Sequence, residues 1–559
     1  MKRAAVFFFV CSWCMAQHHH GPPAETEKSI DLAKLPAPQH ITGIGSSHIP
    51  ITTKSSEAQQ WFDQGLALMH CFWDYEALRA FEEAVRKDPN CSMCYWGLYR
   101  ALEFSDKDEQ AKQELDKAKG LSAKASDREQ RYIRAYTDSV DQKGDEADHA
   151  FDKEMSALIQ RYPDDLEAKL LLSTHPGHGY DEKGDPRPGT LYEQAMLRSL
   201  LQDYPDNAAV NHYWIHAMEV TDRPERALQS ADILGALAPS SGHMVHMPGH
   251  IFYRVGDYER ARLTFLNALR VDQDYMAKQH VAPKNDWNYA HNVSYLIADC
   301  AEEGRYTEAL EHARTLTGLA NDPDHSGSPW FYVLQIGSTE QRLAIRFWKW
   351  DDVIKRPMQF GVPDDKVSLW ALGYRDGLVQ YATGMRAIDD NRFPDAKNDA
   401  TVLDARLWRL SQQDVADDQK PARDEVLKIL GTASLELRGR LEFASGDVEE
   451  GRKLLERADE SERKLGYSEP PLYSRPALEV LGAAWMRARK FEDARKAFQS
   501  ALARRPKSGW CLYGIAAAWN KEGNRKEAVD AYRAFLDAWS NADSDLPEVK
   551  AAQAYLAEK

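Results

Sequence analysis

From about Ala58 to the C-terminus the chain repeats one pattern. Apolar residues recur three and four positions apart over helix-length runs, and each run ends in a short break carrying Gly, Asp or Asn. That spacing puts the apolar side chains on one face of a helix. No run sustains the apolar–polar alternation of a strand, so the pattern predicts an all-α fold. A longer period lies on top of it. Between Ala58 and Asn90, Trp61, Gly65 and Leu68 are followed by Ala77, Phe81, Ala84 and Pro89. Near the other end Leu478, Gly482 and Trp485, then Ala494, Phe498, Ala501 and Pro506, repeat that spacing. Ala494 and Ala528 are 34 residues apart, as are the turn residues Asp222 and Gly256. Self-similarity at a fixed period marks a repeat array.

The motif resembles the tetratricopeptide repeat (TPR). Large residues and Gly or Ala occupy a first helix, Ala-Phe-Ala a second, and Pro precedes the next pair. The resemblance is strong over 58–91, 208–320 and 432–540 and weaker between. It implies a right-handed TPR-type α-solenoid of at least seven antiparallel helix pairs. Each pair buries its apolar face only against its neighbours, and the first helices line a concave surface. A divergent stretch falls at roughly 330–430, around Phe347-Trp348-Lys349-Trp350 and Asp390-Asn391-Arg392.

The N-terminus is different. Lys2-Arg3, the apolar run Ala4 to Cys11 and the small residue Ala16 have the order of a secretory signal peptide. The expected parts are therefore a signal peptide (1–16) and a flexible His/Pro/Gly-rich linker (17–55), followed by N-terminal repeats (56–205) and His-rich central repeats (206–325). Divergent repeats (326–430) and C-terminal repeats (431–559) complete the chain. The mature protein is expected to be periplasmic or secreted, with no membrane span. Cleavage after Ala16 would leave Gln17-His18-His19-His20, a start that can wrap Cu(II) or Ni(II) if its amine stays free.

Charge removes one class of partner. Lys+Arg number 71 and Asp+Glu 87, a net charge of −16. Nucleic acid needs a basic stripe, so it is not an expected partner. Seven Cys in 559 residues are too few for a disulfide framework. Cys91-Ser-Met-Cys94 has the spacing of a disulfide or a metal pair, and is read here as small side chains packed between helices.

Histidine carries the candidate chemistry. All 18 lie at or before His325. Counted back from the repeat turns, His212 and His216 lie ten and six residues before Asp222, and His246 and His250 ten and six before Gly256. Glu219 lies three before Asp222, while His243 and His291 each lie thirteen before Gly256 and Gly304. Residues at i and i+4 share a helix face, and neighbouring helix axes lie about 8–10 Å apart. Facing imidazoles on adjacent helices can therefore close on one ion. The expected metal set is His212, His216, Glu219, His243, His246, His250 and His291, suited to zinc or copper. Met218, Met244 and Met247 are possible soft ligands for copper. His175, His178 and His280 are weaker candidates, in segments that interrupt the repeat. Pro248 lies inside the expected helix, as a site-shaping kink or as a helix start.

The His212–His291 stretch also resembles a group of exported bacterial TPR proteins with His-x-x-His-Met-Pro-small-His-Ile in one repeat and His-Asn in the next. His48-Ile-Pro-Ile-Thr-Thr, Tyr95-Trp96-Gly97, Glu469-Pro470-Pro471 and Gly509-Trp510 fit the same group. The chain departs from it at Ser294, where the group tends to carry a second His. The resemblance implies a fold and an exported habit, not an activity.

Three functional readings follow. One is an exported scaffold whose concave groove holds a transition metal and/or a peptide or protein. Another is a metal-dependent hydrolase or copper oxidase using Glu219 as acid/base, with Tyr213 or Arg254 nearby. The third is a metal-free peptide-binding module. The chain reads more as a binder than as an enzyme. Tyr213 stands where a zincin helix would carry its catalytic Glu, and no nucleotide-binding loop or nucleophile turn is present.

Overall fold

The computed structural model describes residues 30–558 except 106, 141, 143, 175–178, 182–183 and 323–329. The expected signal peptide, His18–His20, His175, His178 and His325 lie outside the described residues. Within them the chain is all-α, a TPR-type solenoid of consecutive helix pairs. The only β-type pairing there is an isolated bridge between Tyr180 and Pro186. No described helix is long and apolar enough to cross a membrane. Two compact units result: Met1–Ile251 with Arg270–Asp272, and Phe252–Leu269 with Gln273–Lys559.

The repeat motif works through a wedge. In the first unit, Ser56–His70 pairs with Asp74–Lys87, and Ser92–Phe104 follows. The Phe81 ring fills the space that two glycines leave. A Cβ on Gly65 would stand 2.7 Å from that ring, and one on Gly97 closer still. In the second unit Phe498 takes the same place between Gly482 and Gly514, at 2.6 and 2.5 Å. Interiors have no slack for such an added carbon, which explains the Gly–Phe spacing in the sequence.

Turns inside the pairs share one backbone device. Two residues before the second helix, the chain enters the left-handed region in eight pairs. Gly256, Gly304, Gly446 and Gly523 do so without penalty, and Phe72, Trp348, Asn391 and Arg489 do so as non-glycines. The divergent stretch departs in helix length. Leu369–Asp389, Phe393–Ser411 and Lys420–Ser445 have 21, 19 and 26 residues, and a π-helix runs over Phe331–Gly337. These lengths displace the 34-residue spacing there.

Two local features differ from the composition-based reading. Residues 30–55, read as linker, lie along the first helix pairs of their unit. Gln64 takes the Ile41 amide and donates to the Gln39 carbonyl, both near 3 Å. Arg79 donates to the Pro36 and Ala37 carbonyls, and His40 stacks on Trp61 at 4.0 Å. Side chains of the helices capture the segment's backbone, which composition does not reveal. Cys91 and Cys94, read as packing residues, are joined in a disulfide at the start of Ser92–Phe104. The first helical turn brings residues three apart close enough for that bond.

Candidate metal centre

Two helices of the first unit carry the histidines. Asn207 caps Ala208–Glu219 through the Val210 amide. Ser241, just before Gly242–Arg254, accepts from the Met244 amide. Pro248 lies within this second helix, which starts at Gly242, so it does not mark the helix start. His212, His216, Glu219, His243, His246 and His250 are all at most 7% exposed. They are interior residues, not the lining of an open groove.

Proton positions define the centre. His212 Nδ1 donates to the His70 carbonyl at 2.7 Å. A carbonyl only accepts, so the proton is on Nδ1 and the neutral ring presents a bare Nε2. His216 Nδ1 donates to Glu219 Oε1 at 2.6 Å, and His250 Nδ1 donates to Oε2 at 2.5 Å. Burial alone would raise the Glu219 carboxyl, but its pairing with the N–H groups of His250 and His216 outweighs it and holds it well below its usual range. One ionised carboxylate thus fixes the tautomer of two imidazoles. Burial lowers the His212 imidazole well below its usual value, and lowers that of His250 against the pull of Glu219.

The Nε2 atoms converge in two groups. His212 Nε2 lies 3.0 Å from His216 Nε2 and 3.0 Å from His243 Nε2. All three fall within 4.8 Å of one another. His246 Nε2 faces His250 Nε2 at 2.5 Å. Facing lone pairs repel unless a proton or a metal ion lies between them. Between His212 and His216, both protonated on Nδ1, a shared proton would make an imidazolium where burial disfavours one, whereas His243 and His246 can donate as neutral Nε2–H tautomers. Ligands at about 2.0–2.1 Å around a tetrahedral ion stand about 3.3 Å apart, close to the spacing of the His212 group.

The three rings share one aromatic neighbour. Phe72, 1% exposed, lies against His212, His216 and His243 with ring centroids 4.7, 5.4 and 5.1 Å away. His70 supports it from below through its carbonyl, while its ring runs from the Tyr213 hydroxyl at 2.6 Å to Glu167 at 2.7 Å. Next to it, burial pushes the Cys71 thiol up to about 12, and the thiol donates to the Ile44 carbonyl. Sequence reasoning missed Phe72, His70 and Glu167 as parts of this site. They sit about 140 and 45 residues before His212 in the sequence, and their only local signal is the unusual His-Cys-Phe at a turn.

His291 is buried on Trp287–Glu302 in the second unit, its Nε2 4.0 Å from Glu469 there. Ser294, at the group's missing His, donates to the Gln335 carbonyl. His280 ends the Tyr258–Gln279 helix in a left-handed conformation. The proposed acid/base groups are otherwise engaged. The Tyr213 hydroxyl binds His70, Arg254 lies over the Tyr467 ring, and both Glu219 oxygens hold imidazoles. Met218, Met244 and Met247 are buried on the same two helices.

Residues 481–543 match the family model described as a tetratricopeptide repeat. No curated protein matches the chain. Among solved structures it is similar to the TPR domain of P58(IPK), at 13% identity, 90% of this chain and 98% of that one, TM-score 0.22. It is similar to a human IFIT1 dimer with PPP-AAAA, at 12%, 80% and 90%, TM-score 0.31. It is also similar to yeast Tom70, at 13%, 89% and 95%, TM-score 0.24. At such identities and scores the fold rests on the chain's own helix pairs.

Proposed function

We propose that this TPR-type protein is an exported scaffold whose first unit binds one transition-metal ion, zinc or copper, through the Nε2 atoms of His212, His216 and His243. The single observation that carries the reading is the fixed proton bookkeeping. The His70 carbonyl and the Glu219 carboxylate each hold an Nδ1 proton, so the Nε2 atoms of His212 and His216, which meet at 3.0 Å, are both acceptors. Glu219 acts as an orienting carboxylate behind the ligands, a place that raises ligand basicity and fixes the rings. His246 and His250 form a second, two-nitrogen group on the same carboxylate.

Stacked helix pairs offer long surfaces for a peptide or protein, the partner class of this reading. Because the imidazoles are buried, the metal's role is to hold the repeats that present that surface. Export is supported by the Lys2-Arg3 and apolar N-terminal pattern and by a disulfide, which persists in oxidising compartments.

The test is metal content by elemental analysis of protein purified from an oxidising compartment, beside His212→Ala and His243→Ala. The reading expects about one equivalent of bound metal in the native chain and loss of most of it in both variants. Metal content unchanged by either substitution would sink it.

A further inference from the structure

A second buried site lies wholly in the second unit and uses none of the histidines above. It is a cavity with about 430 Å³ of empty space, part of it open to solvent. Its walls combine Ile297, Leu343, Pro470 and Pro471 with Arg342, Arg346 and Arg505.

Charge is unbalanced there. Arg346 pairs with Glu302 at 3.0 Å and with Glu479, and Arg505 pairs with Glu302 at 2.9 Å. Two carboxylates thus answer two guanidinium groups. Glu462, which also acts on Arg505, is raised by burial to about 7 and carries only part of a charge at neutral pH. Arg342 has no carboxylate partner among the described residues. It is 8% exposed, and its Nη atoms donate to the carbonyls of Pro471 and Gln335 at 3.3 and 3.2 Å. Its Nε has no hydrogen-bond partner. A buried cation held only by carbonyls is costly, and arginine does not escape the cost by losing its proton.

We infer that this cavity binds a small free monocarboxylate with a short apolar tail, its carboxylate meeting Arg342 and its tail the Ile297, Leu343 and proline wall. One uncompensated positive charge calls for one negative charge, so a carboxylate fits and a phosphate dianion does not. The apolar wall favours a tail over a bare ion.

Calorimetric titration of the full chain with acetate, isobutyrate, isobutyramide and inorganic phosphate tests this. Expected is saturable binding of isobutyrate, weaker binding of acetate, and none of the amide or of phosphate. Arg342→Gln should weaken isobutyrate at least tenfold. Ala298→Leu, which fills the cavity without touching charge, should do the same. Circular dichroism checks that both variants keep the native helix content. The inference is overturned if isobutyrate does not bind, if the amide or phosphate binds as well, or if folded Arg342→Gln binds isobutyrate unchanged.

Discussion

At the scale of single residues, Glu219 and Glu425 show opposite uses of a buried carboxyl. Glu219 is held ionised by two imidazoles, each of which it locks in one tautomer. Replacing it with Gln leaves one oxygen where two were needed. Metal affinity of Glu219→Gln, measured by competition with a chromophoric chelator, should fall by about 10–100-fold, the usual cost of losing an orienting partner. Unchanged affinity would remove Glu219 from the account. Glu425 is 5% exposed, its Oε1 has no hydrogen-bond partner, and burial raises it from 4.5 to about 7. The folded state therefore binds more protons than the unfolded chain between those values. This contribution to stability is full below pH 4.5 and is lost as pH rises through about 7. Glu425→Gln mimics the protonated form. Denaturation should find it level with the parent near pH 4.5 and more stable at pH 8 by up to about 3 kcal/mol; an equal gain at both pH values would contradict the assignment. The imidazole pairs at i and i+4 were legible in the sequence because helix geometry alone puts them together. The groups that fix their protons were only partly so. Glu219 is local, but the His70 carbonyl is a backbone atom from another helix pair, and no side-chain pattern announces it.

At the scale of elements, the same left-handed turn residue recurs two positions before eight second helices. Where it is Gly or Asn the sequence announces a turn. Phe72, Trp348 and Arg489 do not read as turns, because the backbone there is imposed by the helices on either side. Arg489 is exposed and at φ 59°, so Arg489→Gly should raise stability by about 0.5–1 kcal/mol, the left-handed penalty less glycine's entropy. Phe72, at φ 50°, is the contrast. Its strain is offset by a buried ring that touches three imidazoles. Phe72→Gly should relieve the backbone yet lower stability by about 3 kcal/mol through the lost ring, and weaken metal binding with it. Equal effects of the two substitutions in thermal denaturation would mean that the Phe72 ring contributes nothing to the site. The helix pairs themselves were legible from the Gly–Phe spacing, since one wedge explains both ends of the chain. Residues 30–55 were not, because their hold comes from Gln64, Arg79 and Trp61 on helices that follow them.

At the scale of the whole molecule, each unit has its own buried polar centre. The first gathers His212, His216 and His243, and the second buries Arg342 beside an apolar wall. If the first is a metal centre, chelation has a local signature. Hydrogen exchange after metal removal should speed up over Ala208–Glu219 and the first two turns of Gly242–Arg254, while Gly509–Glu522 and Arg525–Ala538 keep their protection. Uniform loss of protection, or none, would contradict a metal confined to the first unit. The most direct test is X-ray absorption spectroscopy of the metal in the purified chain. The account predicts a shell of nitrogen at about 2.0 Å with the scattering of three imidazoles, reduced by one in His243→Ala. A metal bound by oxygen alone, or a spectrum that His243→Ala leaves unchanged, would contradict it.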